Sequence, residues 1–515
     1  FGIDNDYFKR GTWWNDLVAT GKGKDQYTDE DATDFRKAFG RFQKDFKARC
    51  AELVSNNQIG LLDFDKMIHG ESYIDYTSMN SKLGEFTIRR FDMIIAYLRT
   101  LKSVSDIFPV VSGIQNLAKG PTAHFGELSQ SYLSGHNFKG AINLDGELYH
   151  VDDVMFKFLF DDPKQLEKEY IGNMNRGAGS NPMKWNFFEW CIVHFGTILH
   201  NEQQRRRVIG VKVPRQGEFP QPAMFAADGA LRAIERVEEE LKVLPFMDLD
   251  VYDESTILDY VSTFWKYVMA ILPNMQGMVL NLNEKHQPWY IEAYDEKYGQ
   301  KTDYTGPRNN IRHLSPDNIK WVANMDMTDY KMWITNPGNV ESYELEPYEM
   351  YALYFQQDLE SLIMASWWKE GSGVLAPGVQ FATHQDLVAS KRKFQWIFTN
   401  YPASSLAADA TTIDGSLNTL FRTGVNSAAT VITDITEISG ERVYKIVCGS
   451  TTNATTISKA GNFSEISADW TPTAVGDYIK VYAQLHEVSK TINGKTFKVV
   501  EPTGKFLELE RKVTA

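Results

Sequence analysis

Apolar residues recur at helical spacing through the first half of the chain and alternate with polar residues near its end. In residues 88–101, IRRFDMIIAYLRTL, they recur every three or four positions and predict an amphipathic helix that ends before Pro109. A stronger stripe follows Asn181, a suitable helix cap, and predicts one long helix from there to Arg207. Its core-facing residues are predicted to be Trp185, Phe188, Ile192, Phe195 and Leu199.

Residues 110–160, between these two helices, have a different pattern. Glycines separate short runs such as GAINL and ELYHV, which predicts a long two-stranded excursion. Such a ribbon has little core of its own and would be marginally stable in isolation. We therefore expect it to rest on another part of the assembly, such as a second subunit. The glycines are Gly113, Gly120, Gly126, Gly135, Gly140 and Gly146.

The middle of the chain predicts a surface helix and then an α/β unit. Residues 229–244 have one apolar face, and charged residues four positions apart suggest that the other side faces solvent. Residues 257–272 predict a further helix, and GMVLNL predicts a short buried strand. Asn283 is expected to cap the helix EKHQPWYIEAYDEKY, which stops at Gly299.

The last third of the chain turns toward β structure. The stretch YEMYALYFQQDLESLIMASWW predicts a helix or strand followed by a buried strand. After residue 421 the chain is rich in threonine and in alternating segments such as RVYKIVC and DYIKVYAQL, with an Asn493-Gly494 turn. This pattern predicts a separate all-β domain.

Composition and charge narrow the class of protein. The chain has 515 residues, of which 43% are apolar and 23% charged, so an ordinary globular protein with roughly three domains is expected. The formal net charge of −13 opposes tight binding to nucleic acid. The one basic run, Arg205 to Arg207, is favourable at a helix end, where pairing with acidic neighbours is preferred over a subunit or DNA contact.

The cysteines and the first residues of the sequence indicate in which cellular compartment the protein is expected. Three widely spaced cysteines fit a reducing compartment better than secretion. No window of 18 apolar residues and no signal peptide is present, so a soluble protein without a membrane partner is expected. Because the sequence begins with Phe1, we expect that an upstream segment was removed by a protease or is not part of this sequence.

No motif predicts catalysis, a cofactor or a metal. Gly494-Lys495-Thr496 resembles the end of a phosphate loop, but it lies in a hairpin. Cys191 and His194 are three residues apart on a helix, yet no second such pair exists and a core position explains them better. The acidic residues 248–254 lack the glycine and ligand spacing of a calcium loop and instead suit a helix cap. We therefore expect no enzyme activity, no cofactor and no metal site.

The order of elements resembles that of the major capsid proteins of tailed bacteriophages, which have the Hong Kong 97 type fold. The segment FPVVSGIQNLAKGPTAHFGELSQSYLSGHNFKGAINLDGELYHVDDV is similar to the extended loop of that family, and NPMKWNFFEWCIVHFGTILHNEQQRRR to its spine helix. The segments TILDYVSTFWKYVMAIL, GMVLNLNEKHQPWYIEAYDEKYG and IKWVANMDMTDYKMWITNPGNV resemble the axial domain. The style of the axial segment is similar to capsid proteins of the crAss-like podovirus group.

The resemblance implies an α+β fold with a fixed order of parts. These are an N-terminal arm at 1–84, a helix leading into the peripheral domain at 85–112, an extended loop at 113–162 and a spine helix with peripheral domain at 163–245. An axial domain at 246–338 and a returning peripheral segment at 339–420 follow. The last part, 421–515, departs from the family pattern and is expected to be an added Ig-like or small-barrel module.

The resemblance also implies a function and partners. The chain is expected to assemble with itself into hexamers and pentamers of an icosahedral phage head around double-stranded DNA, which it would contact weakly and without sequence preference. Portal and minor or auxiliary head proteins are further expected partners, and the virion, assembled in the host cytoplasm, is the expected location. An arm that carries Trp13 and Trp14 is expected to contact a neighbouring subunit.

Three other functions remain open at this point. An encapsulin-like compartment would share the fold and differ in its cargo. A decoration or fibre protein would explain the β domain but not the helical and α/β parts. An unrecognised hydrolase would be favoured by a deep polar pocket with strongly perturbed carboxylates.

Overall fold

The computed structural model describes residues 103–160, 187–298 and 319–514, with short internal gaps at 126–128, 133, 137–138, 141, 247–249, 273–274, 276, 348, 353, 359–360, 391 and 493–494. The predicted arm with Trp13 and Trp14, the predicted helix at 88–101 and Trp185 lie outside these residues. The chain divides into two compact units. One comprises Phe1–Ser103, Met155–Asn201 and Tyr348–Trp367, and the other Val104–Val154, Glu202–Pro347 and Trp368–Ala515.

The secondary structure of the first half follows the predicted order. The strands are β1 (Val110–Val111), β2 (Leu117–Phe125), β3 (Ile142–His150), β4 (Asp152–Phe160), β5 (Val279–Asn283), β6 (Ile319–Val322) and β7 (Met332–Thr335). The helices are α1 (Phe187–Ile209), α2 (Ala230–Glu239), α3 (Ile257–Ile271) and α4 (Gln287–Tyr298). Short 3-10 turns occur at Val104–Asp106, Ala223–Phe225 and Glu284–His286.

The second half is almost entirely β structure. Its strands are β8 (Val340–Glu344), β9 (Tyr354–Asp358), β10 (Ser361–Val374), β11 (Ile397–Asn400), β12 (Ser404–Ser405), β13 (Thr412–Asp414), β14 (Leu420–Arg422), β15 (Asp434–Thr436), β16 (Val443–Val447), β17 (Tyr478–Ile492) and β18 (Lys495–Lys512). One helix, α5 (His384–Ala389), and 3-10 turns at Glu349–Tyr351 and Gly461–Phe463 interrupt it. The stretch that could have been helix or strand is therefore the strand pair β9–β10.

The ribbon predicted at 113–162 is shorter than expected. Strands β2 and β3 pair antiparallel from Leu117 opposite His150 to Phe125 opposite Ile142, and they pair with no other described strand. β4, which the predicted range included, belongs instead to a five-stranded sheet of order β1-β8-β10-β4, with β9 also on β10. Between β3 and β4 lies Val151, which is buried against Ile114 and Tyr343 and not in the ribbon.

A four-stranded sheet with order β11-β7-β5-β6 forms the α/β unit. All five residues of β5 are buried, and α4 lies in the crossover to its parallel neighbour β6. Asn283 caps the turn before α4 by accepting a hydrogen bond from the Lys285 amide at 3.0 Å. The range 246–338 predicted for this unit is wrong in one respect, because the edge strand β11 comes from residues 397–400.

The C-terminal part has a five-stranded sheet of order β12-β14-β16-β17-β18. Its core contains large buried side chains that include Phe421, Tyr444, Trp470 and Phe506. The boundary predicted at 421 falls inside β14, and β12 already pairs with that strand. The module therefore begins at or before Ser404. The predicted boundary is too late because a short strand with few apolar residues leaves no hydrophobic periodicity in the sequence.

Helix α2 ends earlier than the pattern predicts. Leu241 has a positive φ of 57°, and the Lys242 amide donates to the Val237 carbonyl at 3.1 Å, which closes the helix in a Schellman-type arrangement. A leucine in this conformation is uncommon, since glycine or asparagine usually occupies such a position. The apolar residues Leu231, Ile234 and Val237 are buried as the pattern predicts.

Candidate functional site: an exposed ribbon and buried charge clusters

The base of the ribbon is fixed to its own subunit. Glu147 on β3 accepts a hydrogen bond from Nζ of Lys242 at 2.8 Å, and both side chains are buried. The ring of Tyr149 lies 4.6 Å from the ring of Tyr343 on β8. A Cβ at Gly371 would lie 2.0 Å from the His150 carbonyl oxygen, so only glycine lets β10 approach the ribbon this closely.

The far end of the ribbon is exposed. All residues with described burial between 129 and 140 are exposed, and Tyr132 is 96% exposed. A large aromatic side chain in that position contributes nothing to the stability of the described subunit. The combination of a fixed base and an exposed tip suits a segment that contacts another molecule.

Phe195 on α1 lies in an aromatic cluster within its own compact unit. Its ring centroid is 4.8 Å from that of Phe158 and 5.9 and 6.0 Å from those of Phe156 and Phe160, all on β4. Phe195 is half-buried, whereas Leu199 one turn later is buried. Phe188 and Ile192 are part of α1.

The three arginines at the end of α1 point in different directions, since consecutive helical residues are about 100° apart. Arg205 pairs with Glu441 at 2.8 Å and with Asp326 at 3.3 Å. Arg207 pairs with Glu344 on β8 at 2.9 Å. The end of one helix is thereby connected to the five-stranded sheet through β8, to the loop before β7 and to the C-terminal module.

Arg206 makes the most deeply buried of these pairs. Its guanidinium pairs with Glu370 on β10, and the two side chains are 3% and 2% exposed. Trp368 also donates from Nε1 to Glu370 at 2.5 Å, and the guanidinium of Arg206 lies 5.9 Å from the centre of the Trp368 ring. A carboxylate with two donors and no access to water is held rigidly.

The possible DNA or subunit contact of the arginine run is therefore wrong for two of its members. Arg206 and Arg207 are 2% and 6% exposed, so neither can reach a phosphate outside the subunit. Pairing with acidic neighbours, the preferred interpretation of the sequence, is what the structure shows. Arg205 alone keeps about a third of its side chain exposed, at 35%.

The polar face of α2, predicted to face solvent, instead faces the C-terminal sheet. Glu235 pairs with Lys445 on β16 at 2.7 Å and with Lys480 on β17 at 3.3 Å. Lys480 is 2% exposed and also pairs with Glu239. The prediction of a solvent face is wrong because Glu235 and Glu239 meet lysines of the C-terminal sheet and Lys242 meets Glu147 of the ribbon.

Burial gives neighbouring carboxylates of α2 opposite pKa shifts. For Glu235 burial opposes the charged form, but the ammonium groups of Lys445 and Lys480 hold the pKa well below its usual range. For Glu238 burial dominates and raises the pKa to about 8, although the hydrogen bond with Thr399 lowers it in part. Glu238 is accordingly mostly protonated at neutral pH, while Glu235 is ionised.

A cavity of about 470 Å³ extends along this charged face. Glu235, Glu238, Lys331 and Tyr401 are among its lining residues, together with aliphatic side chains of the segment that follows α2. Sequence reasoning missed this site, since its members come from residues 209–514 and no local motif joins them. The one available signal was a single lysine in the middle of each of two strand-like segments, Lys445 in RVYKIVC and Lys480 in DYIKVYAQL.

Other kinds of site were sought in the same residues. Within the described parts of the chain, no group of three or more His, Cys, Asp and Glu side chains is placed to hold a metal ion. Asp253 in the acidic loop instead accepts hydrogen bonds from the amides of Ser255 and Thr256 at 3.0 and 2.9 Å, just before α3. None of the described helices is long and apolar enough to cross a membrane.

Comparison with known proteins gives structural matches only. No protein-family model matches the chain, and no curated protein is similar to it in sequence. Among solved structures, the satellite phage P4 procapsid that includes the size determination (Sid) protein is similar, with a TM-score of 0.35 and 12% identity over 59% of this chain and 94% of that chain.

Two further structures show the range of these matches. The capsid of the native GTA particle has a TM-score of 0.36 and 11% identity, over 59% of this chain and 92% of that chain. The virus-like particle from Pyrococcus furiosus has a TM-score of 0.29 and 10% identity, over 55% of this chain and 92% of that chain. These three solved structures are a procapsid, a capsid and a virus-like particle.

Proposed function

We propose that this chain is the major capsid protein of a tailed bacteriophage and that it assembles into hexamers and pentamers of an icosahedral head. The observation that carries the proposal is the ribbon β2–β3, which is held at its base and pairs with no other described strand. An isolated two-stranded ribbon is marginally stable in water, so a contact outside the described subunit would supply its missing burial. Heterologous contacts of this kind close into rings.

Ion pairs buried within the compact unit that carries the ribbon suit the same role. Buried ion pairs at Arg206 and Lys480 fix helices to sheets across long stretches of sequence. Such pairs contribute little net stability, but removing one partner is costly, so they restrict the subunit to one arrangement. A shell needs a subunit of constant shape, because each contact is repeated many times.

DNA is proposed as a weakly held content of the shell rather than a specific ligand. The chain has 54 Lys and Arg against 67 Asp and Glu, which gives the net charge of −13. Two of the three arginines of its basic run are occupied inside the subunit. Weak, salt-sensitive contact with packaged DNA follows. The virion as location, and the portal and minor head proteins as partners, belong to this proposal.

A shortened ribbon tests the proposal. Residues 122–145 would be removed and Pro121 joined to Gly146 through Asn-Gly, which keeps the pair Glu147–Lys242 and the contact of Tyr149. We expect the full-length protein to form closed shells in negative-stain images. We expect the shortened protein to keep its urea unfolding midpoint and to form no shells.

A matched control shortens another hairpin. Residues 490–497 at the far end of β17–β18 would be removed and Ser489 joined to Lys498 in the same way. This variant should still form shells, since the proposal assigns the subunit contact to β2–β3. Shells from the shortened-ribbon protein, equal in yield to those of the unaltered chain, would contradict the proposal.

An encapsulin-like compartment is the rival that shares this geometry. The two differ in content: a phage head purified from its host would hold nuclease-protected DNA, whereas a compartment would hold protein cargo. Nucleic-acid and protein analysis of the purified particles separates them.

The hydrolase rival has one observation in its favour, the cavity with carboxylates whose pKa values are pushed apart. Against it, Glu235 is bound by Lys445 at 2.7 Å and Glu238 is bonded to Thr399, so both carboxyl groups already have protein partners. We therefore propose a structural role for these groups. Hydrolysis of ester or glycoside substrates that Glu238→Gln abolishes would revive the enzyme.

A further inference from the structure

The cavity beside α2 contains two hydrogen-bond donors without acceptors. The Lys331 ammonium lies 4.9 Å from the centre of the Tyr401 ring, and no carboxylate of the described residues pairs with it. Tyr401 is 5% exposed, and its Oη has no hydrogen-bond partner within the described structure. Both residues line the cavity. The Lys331 side chain is half-buried, whereas the Tyr401 hydroxyl is fully buried. A buried hydroxyl without a partner is costly, so a partner is expected beside Tyr401 and within reach of Lys331.

The acidic groups of the cavity do not supply that acceptor. Each of the five is already engaged by another side chain: Glu235 by Lys445 and Lys480, Glu239 by Arg232 and Lys480, Asp329 by Arg442, Glu441 by Arg205, and Glu238 by Thr399. After this pairing two positive charges remain on the cavity lining, that of half-buried Lys331 and that of exposed Lys512. A negatively charged acceptor therefore fits better than a neutral one.

The aliphatic part of the cavity wall indicates that the rest of the ligand is apolar. Its aliphatic lining includes Leu231, Leu241, Val243 and Leu244. A volume of about 470 Å³ is within the range of pockets that hold small organic molecules, and it far exceeds the space that a single inorganic ion needs. The ligand class is then an anion with an apolar part.

We propose that this cavity binds an organic anion with a carboxylate or phosphate head and an apolar body, the head being held by Lys331 and Tyr401. The apolar body would lie against Leu231 of α2 and against Leu241 and Leu244, which follow that helix. The proposal is independent of the shell function, because it concerns the interior of one subunit.

Electrostatics agrees with this assignment. Burial lowers the pKa of Lys331, and the more distant Glu235 and Asp329 raise it only in part. An oxyanion beside the ammonium would raise this pKa and stabilise the charged form.

Calorimetric titration of the full-length protein with sodium octanoate tests the proposal. Octyl phosphate, inorganic phosphate and octanol serve as the comparison ligands, so that the head group and the apolar body are separated. We expect one site per chain for octanoate or octyl phosphate, and at least tenfold weaker binding of inorganic phosphate and of octanol.

Variants assign the binding to the cavity. Lys331→Met should weaken octanoate binding at least tenfold and Tyr401→Phe severalfold, while Lys331→Arg should retain most of it. Lys320→Met, at an exposed lysine of β6, is the matched control and should change nothing. The urea midpoint of each variant shows whether it is folded. If Lys331→Met does not fold, the octanoate affinity of Tyr401→Phe tests the proposal.

Three results would overturn the assignment. The first is no heat from octanoate or octyl phosphate up to millimolar concentration. The second is equal affinity for octanol and octanoate, which would mark a merely apolar pocket. The third is octanoate binding that neither Lys331→Met nor Tyr401→Phe weakens.

Discussion

Removing the carboxylate of Glu370 should destabilise the subunit strongly. Glu370 is 1% exposed, pairs with Arg206 and accepts from Trp368 Nε1 at 2.5 Å. The change Glu370→Gln keeps the size of the side chain but removes the carboxylate that is paired with the buried guanidinium of Arg206, which leaves only the longer-range attraction of Glu202. The structure therefore makes this substitution a test of how tightly α1 is fixed to β10.

The magnitude follows from the burial of both partners. Breaking a buried ion pair by removing one member costs about 3–5 kcal/mol, because a charge remains in a low-dielectric interior. With side chains 3% and 2% exposed, solvent screening gives little relief. The backbone carbonyl of Ala223, 3.3 Å from Arg206 Nη1, offers only a neutral acceptor in compensation.

The assay is urea unfolding of the unassembled subunit, followed by circular dichroism and tryptophan fluorescence. Glu370→Gln should lower the free energy of unfolding by about 3–5 kcal/mol with an unchanged slope. The control Asp259→Asn breaks the exposed pair with Lys297, whose side chains are 74% and 47% exposed, and should cost less than about 1 kcal/mol.

A double change separates the lost pair from the stranded charge. Arg206→Met combined with Glu370→Leu removes both charges and should recover most of the stability lost in Glu370→Gln. A loss below about 1 kcal/mol for Glu370→Gln would refute the reasoning, since it would mean that water or another carboxylate reaches Arg206.

Other predictions concern pH and packing. Glu238 has a pKa of about 8 in the folded subunit, above the ordinary 4.5. Between pH 4.5 and pH 8 the folded state therefore keeps the carboxyl proton, whereas the unfolded state has released it. Stability should therefore fall as pH rises from about 5 to 8, and Glu238→Gln should remove this part of the pH dependence in urea titrations. Asp477 has the opposite sign: burial raises its pKa, but hydrogen bonds from Thr514, Ala474 and Thr473 outweigh this and lower it to about 2. The stability that the Asp477 carboxylate contributes is present above the ordinary pKa of 3.8 and should be lost as the pH falls toward 2. In Asp477→Asn this part of the acid-induced loss of stability should be absent. Phe195→Ala should cost about 2 kcal/mol in the same assay, below the roughly 3–5 kcal/mol of a fully buried phenylalanine, and a value near zero would count against its contacts with β4.

Local pattern was sufficient where an element is defined by its own residues. The stripe around Phe195 and Leu199 predicted α1, and the run GMVLNL predicted the buried strand β5. In both, neighbouring positions carry the signal, because helix and strand periods are short. The ribbon was likewise visible from its glycines.

Nonlocal pairing could not be predicted in the same way. The polar face of α2 has the charge pattern of a solvent-exposed helix, and only the fold brings Lys445 and Lys480 onto it. β11 joins the α/β sheet from 397–400, more than 60 residues after its neighbour β7. The cavity of Lys331 and Tyr401 depends on both of these arrangements, so no single segment could have indicated it.

The most direct test of the shell assignment is an electron cryomicroscopy map of particles formed by the full-length protein. The proposal predicts closed icosahedral particles in which residues 117–150 of each subunit extend from the fixed pair Glu147–Lys242 and lie against a neighbouring subunit. A protein that stays monomeric, or particles in which this ribbon contacts only its own subunit, would contradict it.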